Sequence, residues 1–351
     1  MVASTSEGKK LVWALPKGSL NQEGRFVTHD LLVDAGFNIF GYEPGREEIQ
    51  AFVEGYPWLV LYVDRPQNMP QNLHLREYDL AILGKDWVEE YKDLGDFAVE
   101  LVDLNGGRVD IVAAIPGNHK AETLDEYIPE MHAKHKPIIC HTEYVDHAYK
   151  MFDRSEAYRE LYGGLKPSGF SRRMKHVGDN EMVYILTSQG QTESAILRGS
   201  MIVDSHQTCE SLRRVGGKVI ERVATSTARL YAGAHLKGPY ADPWKKERVS
   251  EIARDVDGVV FARSHQYVTL NVHRDDYKNF MRFVETERVY ADEPTVVPPV
   301  RDWHQVSMYI PDDKWIKIKN EMFRLGARTI LPERKPQVIG VGERPYEKAL
   351  D

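Results

Sequence analysis

With 351 residues, of which 42% are apolar and 28% charged, the chain can bury a substantial core and divide into two or three units. Its 53 acidic and 46 basic residues give a net charge of -7 without a long block of one sign. That balance argues against a nucleic-acid groove or a membrane-binding face and points to small polar ligands. Residues 1–10 are polar with no apolar targeting core, and the longest apolar stretch, WLVLYV at 58–63, is far short of a bilayer span, so a cytoplasmic address is expected. Cys140 and Cys209 make neither a disulfide framework nor a zinc site by themselves and are expected to be buried thiols. The histidine-rich MHAKHKPIICH, 131–141, lacks ligand spacing on one helix face, so no metal site is assigned from it.

In chain order, KLVWALP predicts a strand and SLNQEGRFVTHDLLVDAGF a helix, with Ser19 and Gln22 at capping-box spacing and Gly36 at the C-terminal cap. YDLAILGKDWVEEYKDLG predicts a buried parallel strand, a glycine turn at Gly84, and a helix opened by Asp86 with Glu89 at capping-box spacing. Residues 109–180 carry their own strands, VDIVAAIP and KPIICHT, and are expected to form a second lobe inserted into the first. From 183 to 223 the pattern is strand, loop, helix, strand, loop, helix, strand, predicting parallel strands with ligand loops at their carboxyl ends. The expected division is therefore 1–108 with 181–235 as lobe I, 109–180 as lobe II, and a linker helix over 236–256, with a cleft between the lobes. HQYVTLNVH, RDDYKNFMRFVET, PTVVPPV, WHQVSMYIP, DDKWIKIKNEMFRLG and ARTILPER then read as strand, helix, strand, strand, helix, strand, a ferredoxin-like unit placed at 257–345. The tail beyond Gly340 reads as either disordered or domain-covering.

Three loops lie between a strand and a helix, where backbone N–H groups gather on an anion. Lys17-Gly18 in LPKGSL adds an ammonium, and Gly84-Lys85 in LGKD repeats the arrangement. In DSHQTCESL, 204–212, Asp204 ends a strand where a carboxylate would hold a sugar diol, and Thr208 to Leu212 open a helix whose free N–H groups suit a phosphate. Hydroxyls and bare amides for a phosphate, with an acid beside them for a ribose, make the physical recipe of a phosphoribosyl site.

These segments together resemble the long form of ATP phosphoribosyltransferase. LPKGSL is similar to that family's LPKGRL and DLAILGKD to D-L-G-I-x-G-x-D, while HTEY matches A-T-E-Y. GQTESAILRGSMIVDSHQTCESL resembles the segment from G-A-x-E to D-x-x-x-T-G-x-T-L, IERVATSTARLYA the stretch that follows it, and YVTLNV, PTVVPPV and GARTIL the ACT-like regulatory domain. The resemblance runs from about residue 11 to 339. It implies an α/β fold, with two lobes of the periplasmic-binding-protein type II kind and a C-terminal ACT-like βαββαβ domain. The implied reaction joins N1 of ATP to C1′ of phosphoribosyl pyrophosphate (PRPP), the first step of histidine biosynthesis. The resemblance also implies Mg²⁺ with the pyrophosphate, histidine as an allosteric inhibitor and a hexamer built from dimers, while the charge balance and short apolar stretches imply no nucleic-acid or membrane partner.

Carried over residue by residue, Lys17, Gly18, Asp79, Gly84, Lys85, Asp86, Glu143, Glu193, Asp204, Thr208 and Leu212 stand where the motifs require them. The expected catalytic residues are Asp204, Glu193 and Lys17. Thr208, Cys209, Glu210 and Ser211 form the 5′-phosphate loop, Gly18, Lys85 and Arg108 join Lys17 at the pyrophosphate, and Asp86 and Glu143 face the nucleotide side. Metal ligands are left open. Three departures gather on phosphate binding: Ser19 replaces the arginine of LPKGRL, Cys209 the glycine of T-G-x-T, and Glu210 fills the variable position. A glycine there accepts positive φ or close backbone approach, which a cysteine resists. A Glu210 pointing into the loop would oppose a phosphate by roughly 4 kcal/mol at about 4 Å, whereas one pointing to solvent would be screened. The departures keep two alternatives open: transfer to a different base, and a catalytically degenerate homologue that only binds small molecules.

Overall fold

The computed structural model describes residues 8–170, 178–188, 190–206, 209–341 and 344–351. The first lobe begins with β1 (Leu11–Pro16), α1 (Thr28–Asp34), β2 (Ile39–Phe40), β3 (Gln50–Val53), β4 (Leu59–Asp64), α2 (Met69–His74), β5 (Leu80–Gly84), α3 (Lys85–Glu90) and β6 (Ala98–Asp103). The second lobe follows with β7 (Val109–Pro116), α4 (Leu124–Ala133), β8 (Ile138–Thr142), α5 (Val145–Arg154), α6 (Glu156–Tyr162), β9 (Pro167–Phe170), β10 (Asn180–Thr187), α7 (Ser194–Leu197), β11 (Met201–His206), α8 (Glu210–Arg214) and β12 (Gly217–Ser226). The chain then returns to the first lobe with β13 (Ala228–Gly233) and α9 (Pro243–Ser264).

The first sheet has the order β2-β3-β4-β1-β5-β13-β6, with β4, β1 and β5 parallel. β5, LAILG, is buried at every residue, as its uninterrupted apolar run requires of a strand covered on both faces. The second sheet has the order β12-β7-β11-β8-β10-β9, in which β11, β8 and β10 are parallel. Both parallel sets end at the gap between the lobes, the position where open α/β sheets take their ligands.

The lobe boundary differs from the expected one. Residues 180–226 belong to the second lobe: β11 pairs with β7 and β8, β10 with β8 and β9, and β12 runs antiparallel to β7. Apolar patterning identifies these segments as strands without saying which sheet they join, because buried strands of either sheet read alike. The chain therefore crosses between lobes at 104–108 and again at Thr227, and Asp204 and Ser205 near the end of β11 face the first lobe from across the cleft.

The first helix is also shorter than its pattern suggests. Residues 19–27 form a loop, stopped by Gly18 and Gly24 at φ 90° and 75°. Ser19 is not the cap of α1, whose N-cap residue is Val27; the Asn21 side chain instead accepts the His29 N–H at 3.0 Å, and the Thr28 hydroxyl donates to the Leu20 carbonyl at 2.6 Å. Gly36 does follow the helix with positive φ, as expected. Asp86 likewise lies inside the first turn of α3 and is not its cap, since Gly84 is the capping residue.

α9 is one helix of 22 residues. Its Val249, Ile252, Ala253, Val256, Val259 and Val260 pack with β1, β4 and β5 side chains on the outer face of the first lobe, so the linker does not end at residue 256 and the next unit starts at His265. That unit comprises β14 (His265–His273), α10 (Arg274–Thr286), β15 (Thr295–Val300), β16 (Trp303–Pro311), α11 (Asp312–Arg324) and β17 (Ala327–Glu333), with sheet order β15-β16-β14-β17. This is the expected ferredoxin-like arrangement, with its own core around Val268, Leu270, Phe280 and Met308. The tail covers the first lobe. α12 (Pro345–Ala349) brings Tyr346 and Leu350 into that lobe's core, and the Arg344 guanidinium donates twice to Asp257, each at 2.6 Å.

Candidate active site in the cleft between the lobes

On the first-lobe side, β1 ends in Lys17-Gly18-Ser19, β4 in Arg65-Pro66-Gln67, and β5 in Gly84 followed by Asp86 and Trp87 of α3. On the second-lobe side, β8 ends in Glu143-Tyr144 and β11 in Asp204-Ser205. All of them line a cavity of about 390 Å³. A neighbouring cavity of about 480 Å³ shares Ser205 and is lined by Arg25, Glu193, His206, Cys209, Glu210, Ser211 and Arg214.

Beside the cleft the lobes are locked together by buried polar bonds. Asp86 accepts from the Ser226 hydroxyl at 2.6 Å and from the Tyr144 hydroxyl at 2.9 Å, and its own N–H donates back to the Ser226 oxygen at 3.0 Å. A Cβ on Gly84 would stand 2.0 Å from the Asp86 carboxylate, so only glycine lets that side chain fold back over the turn. Burial pushes the Asp86 carboxyl above its ordinary value, and the hydroxyls of Ser226 and Tyr144 partly oppose that shift. Four residues on, buried Glu90 accepts the N–H groups of Asp146 and His147 at 2.9 and 3.1 Å and pairs with His147 Nδ1 at 2.9 Å. A first-lobe carboxylate thus sits at the amino end of α5, where the helix field favours it. Trp87 stacks on Tyr144 with centroids 4.6 Å apart.

The cleft wall of the second lobe is built in the opposite manner. Burial drives the Asp204 carboxyl up to about 7, the Ser205 N–H that donates to it pulls it back, and the nearby carboxylates of Glu193 and Glu143 raise it further. Burial also holds the His206 imidazole below its ordinary value, and its Nε2 has no hydrogen-bond partner among the described residues. Glu143 accepts the Gly190 N–H at 2.7 Å and so anchors the loop before α7.

The expected site residues separate into three groups. Lys17, Gly18, Asp86, Glu143 and Asp204 converge on the first cavity, and Glu193, Cys209, Glu210 and Ser211 on the second. Lys85 and Arg108 line neither. Lys85 turns along α3 toward Glu89 at 3.8 Å, and Arg108 is exposed on the crossing segment between Gly107 and Val109. Thr208 lies outside the described residues. Asp79 is remote from the chemistry: buried, it accepts the Val12 N–H at 2.9 Å and holds Lys245 and His235 at 2.7 and 2.9 Å, tying α9 to the sheet.

The departures resolve geometrically. Cys209 takes the left-handed conformation, φ 53° and ψ 21°, so this turn does use the region a glycine occupies without strain. It is half-buried, whereas Cys140 is fully buried as expected. Glu210 pairs with Arg214 at 2.6 Å on the surface of α8 and is 66% exposed, so water and a guanidinium screen its charge. Arg65 and Arg25, two cations facing the cavities, are not legible in the sequence: Arg65 adjoins no glycine turn, and Arg25 falls inside a segment that reads as helix. The alternation of β11, which puts Asp204 and His206 on one face, was the available signal for His206.

The profile of the ATP phosphoribosyltransferase family matches residues 65–258. The ATP phosphoribosyltransferase of Prosthecochloris aestuarii is 23% identical over 347 residues, covering 96% of this chain and 96% of that protein. That of Pelotomaculum thermopropionicum is 24% identical over 340 residues, covering 94% and 99%. Among solved structures, a chain of the ATP phosphoribosyl transferase (HisG:HisZ) complex from Thermotoga maritima aligns at a TM-score of 0.48 and 15% identity, over 71% of this chain and 98% of that one.

Proposed function

The chain belongs to the ATP phosphoribosyltransferase family, and from that premise we propose how its cleft performs the transfer. The enzyme is a phosphoribosyltransferase that joins N1 of ATP to C1′ of PRPP, releasing pyrophosphate and opening histidine biosynthesis. The observation that carries the assignment of roles is the cleft itself: cations and a glycine turn of one lobe face an unneutralised acid of the other across one cavity.

Phosphoribosyl transfer passes through an oxocarbenium-like state, so the protein's task is to position two substrates and to place charge. Asp204 holds the ribose hydroxyls. Its carboxylate is disfavoured by burial in the free cleft and is stabilised as positive charge develops on the sugar, which is differential binding of the transition state. Lys17 and the amides of Gly18 and Ser19 hold the leaving pyrophosphate. Arg65 takes the part expected of Lys85 and Arg108, because it lines the cavity and they do not. The turn at Cys209 and Ser211, with Thr208, takes the 5′-phosphate, and Arg25 and Arg214 supply positive charge to that pocket. Glu143 and Glu193 line the nucleotide and sugar sides.

The family resemblance calls for Mg²⁺ with the pyrophosphate. Glu143 fits it, since it presents only oxygens to the cavity, the donors a small hard cation takes, and pyrophosphate and water would complete its shell. When bound, the ion neutralises the leaving group. Inhibition by histidine through the C-terminal unit, and dimers assembled into a hexamer, belong to the same proposal and rest on the resemblance alone.

The deciding experiment is a coupled assay of pyrophosphate release from the purified protein with PRPP, Mg²⁺ and ATP. Release that requires ATP is expected, with Lys17→Ala and Arg65→Ala each slower. Release with another base in place of ATP would move the acceptor. No release from the natural protein would replace catalysis by binding alone.

A further inference from the structure

We propose that Glu193, Asp204 and His206 form a site for one divalent transition-metal ion, of the zinc or manganese class, on the second-lobe wall of the cleft. One donor atom from each of the three lies within 4.8 Å of the others. Donors sharing an ion at about 2.1 Å stand no more than about 4.2 Å apart, so sub-ångström side-chain adjustments close the set. The local fold produces the arrangement. Asp204 and His206 are two residues apart on β11 and share a face, while Glu193 caps the helix α7 that leads into that strand.

A second, independent observation points to a ligand. His206 is 6% exposed and its Nε2 is orphaned among the described residues. Buried polar atoms are nearly always paired, and an unpaired ring nitrogen beside two carboxylates is a place where an ion can supply the missing partner. His147, buried to a similar degree, shows what a structural histidine looks like here, with its Nδ1 on Glu90 at 2.9 Å. His206 and Glu193 line the 480 Å³ cavity together.

The donor set distinguishes this ion from the Mg²⁺ that arrives with a substrate. Magnesium keeps oxygen and water ligands, whereas an imidazole with two carboxylates suits zinc, manganese or iron. Three protein ligands leave at least one position open, as in exchangeable metal sites. That position faces the cavity holding Arg25 and Arg214, and water or an anion's oxygen would occupy it. The Ser205 N–H on Asp204 Oδ1 orients the shared carboxylate from behind.

The test uses the full chain, stripped with a chelator, without ATP or PRPP, so its outcome does not depend on transfer activity. Zn²⁺, Mn²⁺ and Mg²⁺ are titrated separately by isothermal calorimetry, and Co²⁺ is followed by its visible absorption. One Zn²⁺ or Mn²⁺ per chain is expected, tighter than Mg²⁺, with a loss of roughly 100-fold in both His206→Val and Glu193→Gln and with Cys209→Ser unaffected. Circular dichroism checks each fold, and if His206→Val does not fold, the partly exposed Glu193→Gln decides. No binding tighter than that of Mg²⁺, binding unchanged in a folded His206→Val or in Glu193→Gln, or loss confined to Cys209→Ser would each overturn the site.

Discussion

The junction between the lobes and the cleft wall facing it contain the same kinds of side chain, carboxylates and a buried histidine, used in contrary ways. At the junction, Asp86 holds two hydroxyls and Glu90 holds two backbone N–H groups and His147. On the wall, Asp204 is repelled by two further acids and His206 Nε2 meets nothing among the described residues. Charge that is buried and fully paired within the fold contributes to holding it; a carboxylate crowded by other carboxylates, which its hydrogen bonds only partly offset, costs stability and is retained where a ligand supplies the missing partner.

The largest expected effect would break that comparison if it failed. Glu90→Ala removes the acceptor of two α5 amides and leaves His147 without its carboxylate, and should lower unfolding stability by about 3–5 kcal/mol in urea titration. A loss under about 1 kcal/mol would mean that the junction is not what joins the lobes. Asp204→Asn should do the reverse. It should lower kcat/KM for PRPP by about 10²–10³, some 3–4 kcal/mol, while the thermal midpoint holds or rises because a desolvated charge is gone. Equal losses of stability and activity would place Asp204 with Glu90 as a structural residue.

A third test sharpens the comparison through pH. Burial alone would raise the Asp79 carboxyl, but bonds from His235, Lys245 and the Val12 N–H outweigh it and hold the group below its ordinary value. A depressed carboxyl adds stability that is present above its unfolded value, about 3.9, and is lost as pH falls toward the folded value. Urea midpoints of the natural protein should therefore decline below about pH 4, and Asp79→Asn should be less stable at pH 7 with a shallower acid slope. The smallest effect belongs to the donor turn. Cys209→Gly relieves a left-handed residue by about 1 kcal/mol, visible as about 2 °C in the thermal midpoint, and should lower KM for PRPP. A midpoint that falls instead would mean that Cys209 packs in that turn more favourably than its backbone suffers.

Much of the site could be read before any coordinates. Lys17, Gly18, Asp204, Ser205, Cys209 and Ser211, from the strand-to-helix segments singled out in the sequence, line the cavities, because ends of parallel strands lie on one side of a sheet whatever else the chain does. Lys85 fitted the same rule and failed, since its neighbour Glu89 one turn on offers a nearer partner than the cleft. Arg25 was hidden inside a segment that reads as helix, and only the turns at Gly18 and Gly24 free it to reach the second pocket.

By itself, the sequence determined the order and kind of the elements, the C-terminal unit and the family, because periodicity, glycine turns and ordered motifs are local properties of the chain. Tertiary structure decided which lobe owns residues 180–226, that α9 and the tail cover the first lobe, and that Glu193, Asp204 and His206 meet while Lys85 turns away. Those are matters of partners, and a buried strand, an acid or a histidine has the same letters whether its partner is near in sequence or more than a hundred residues away.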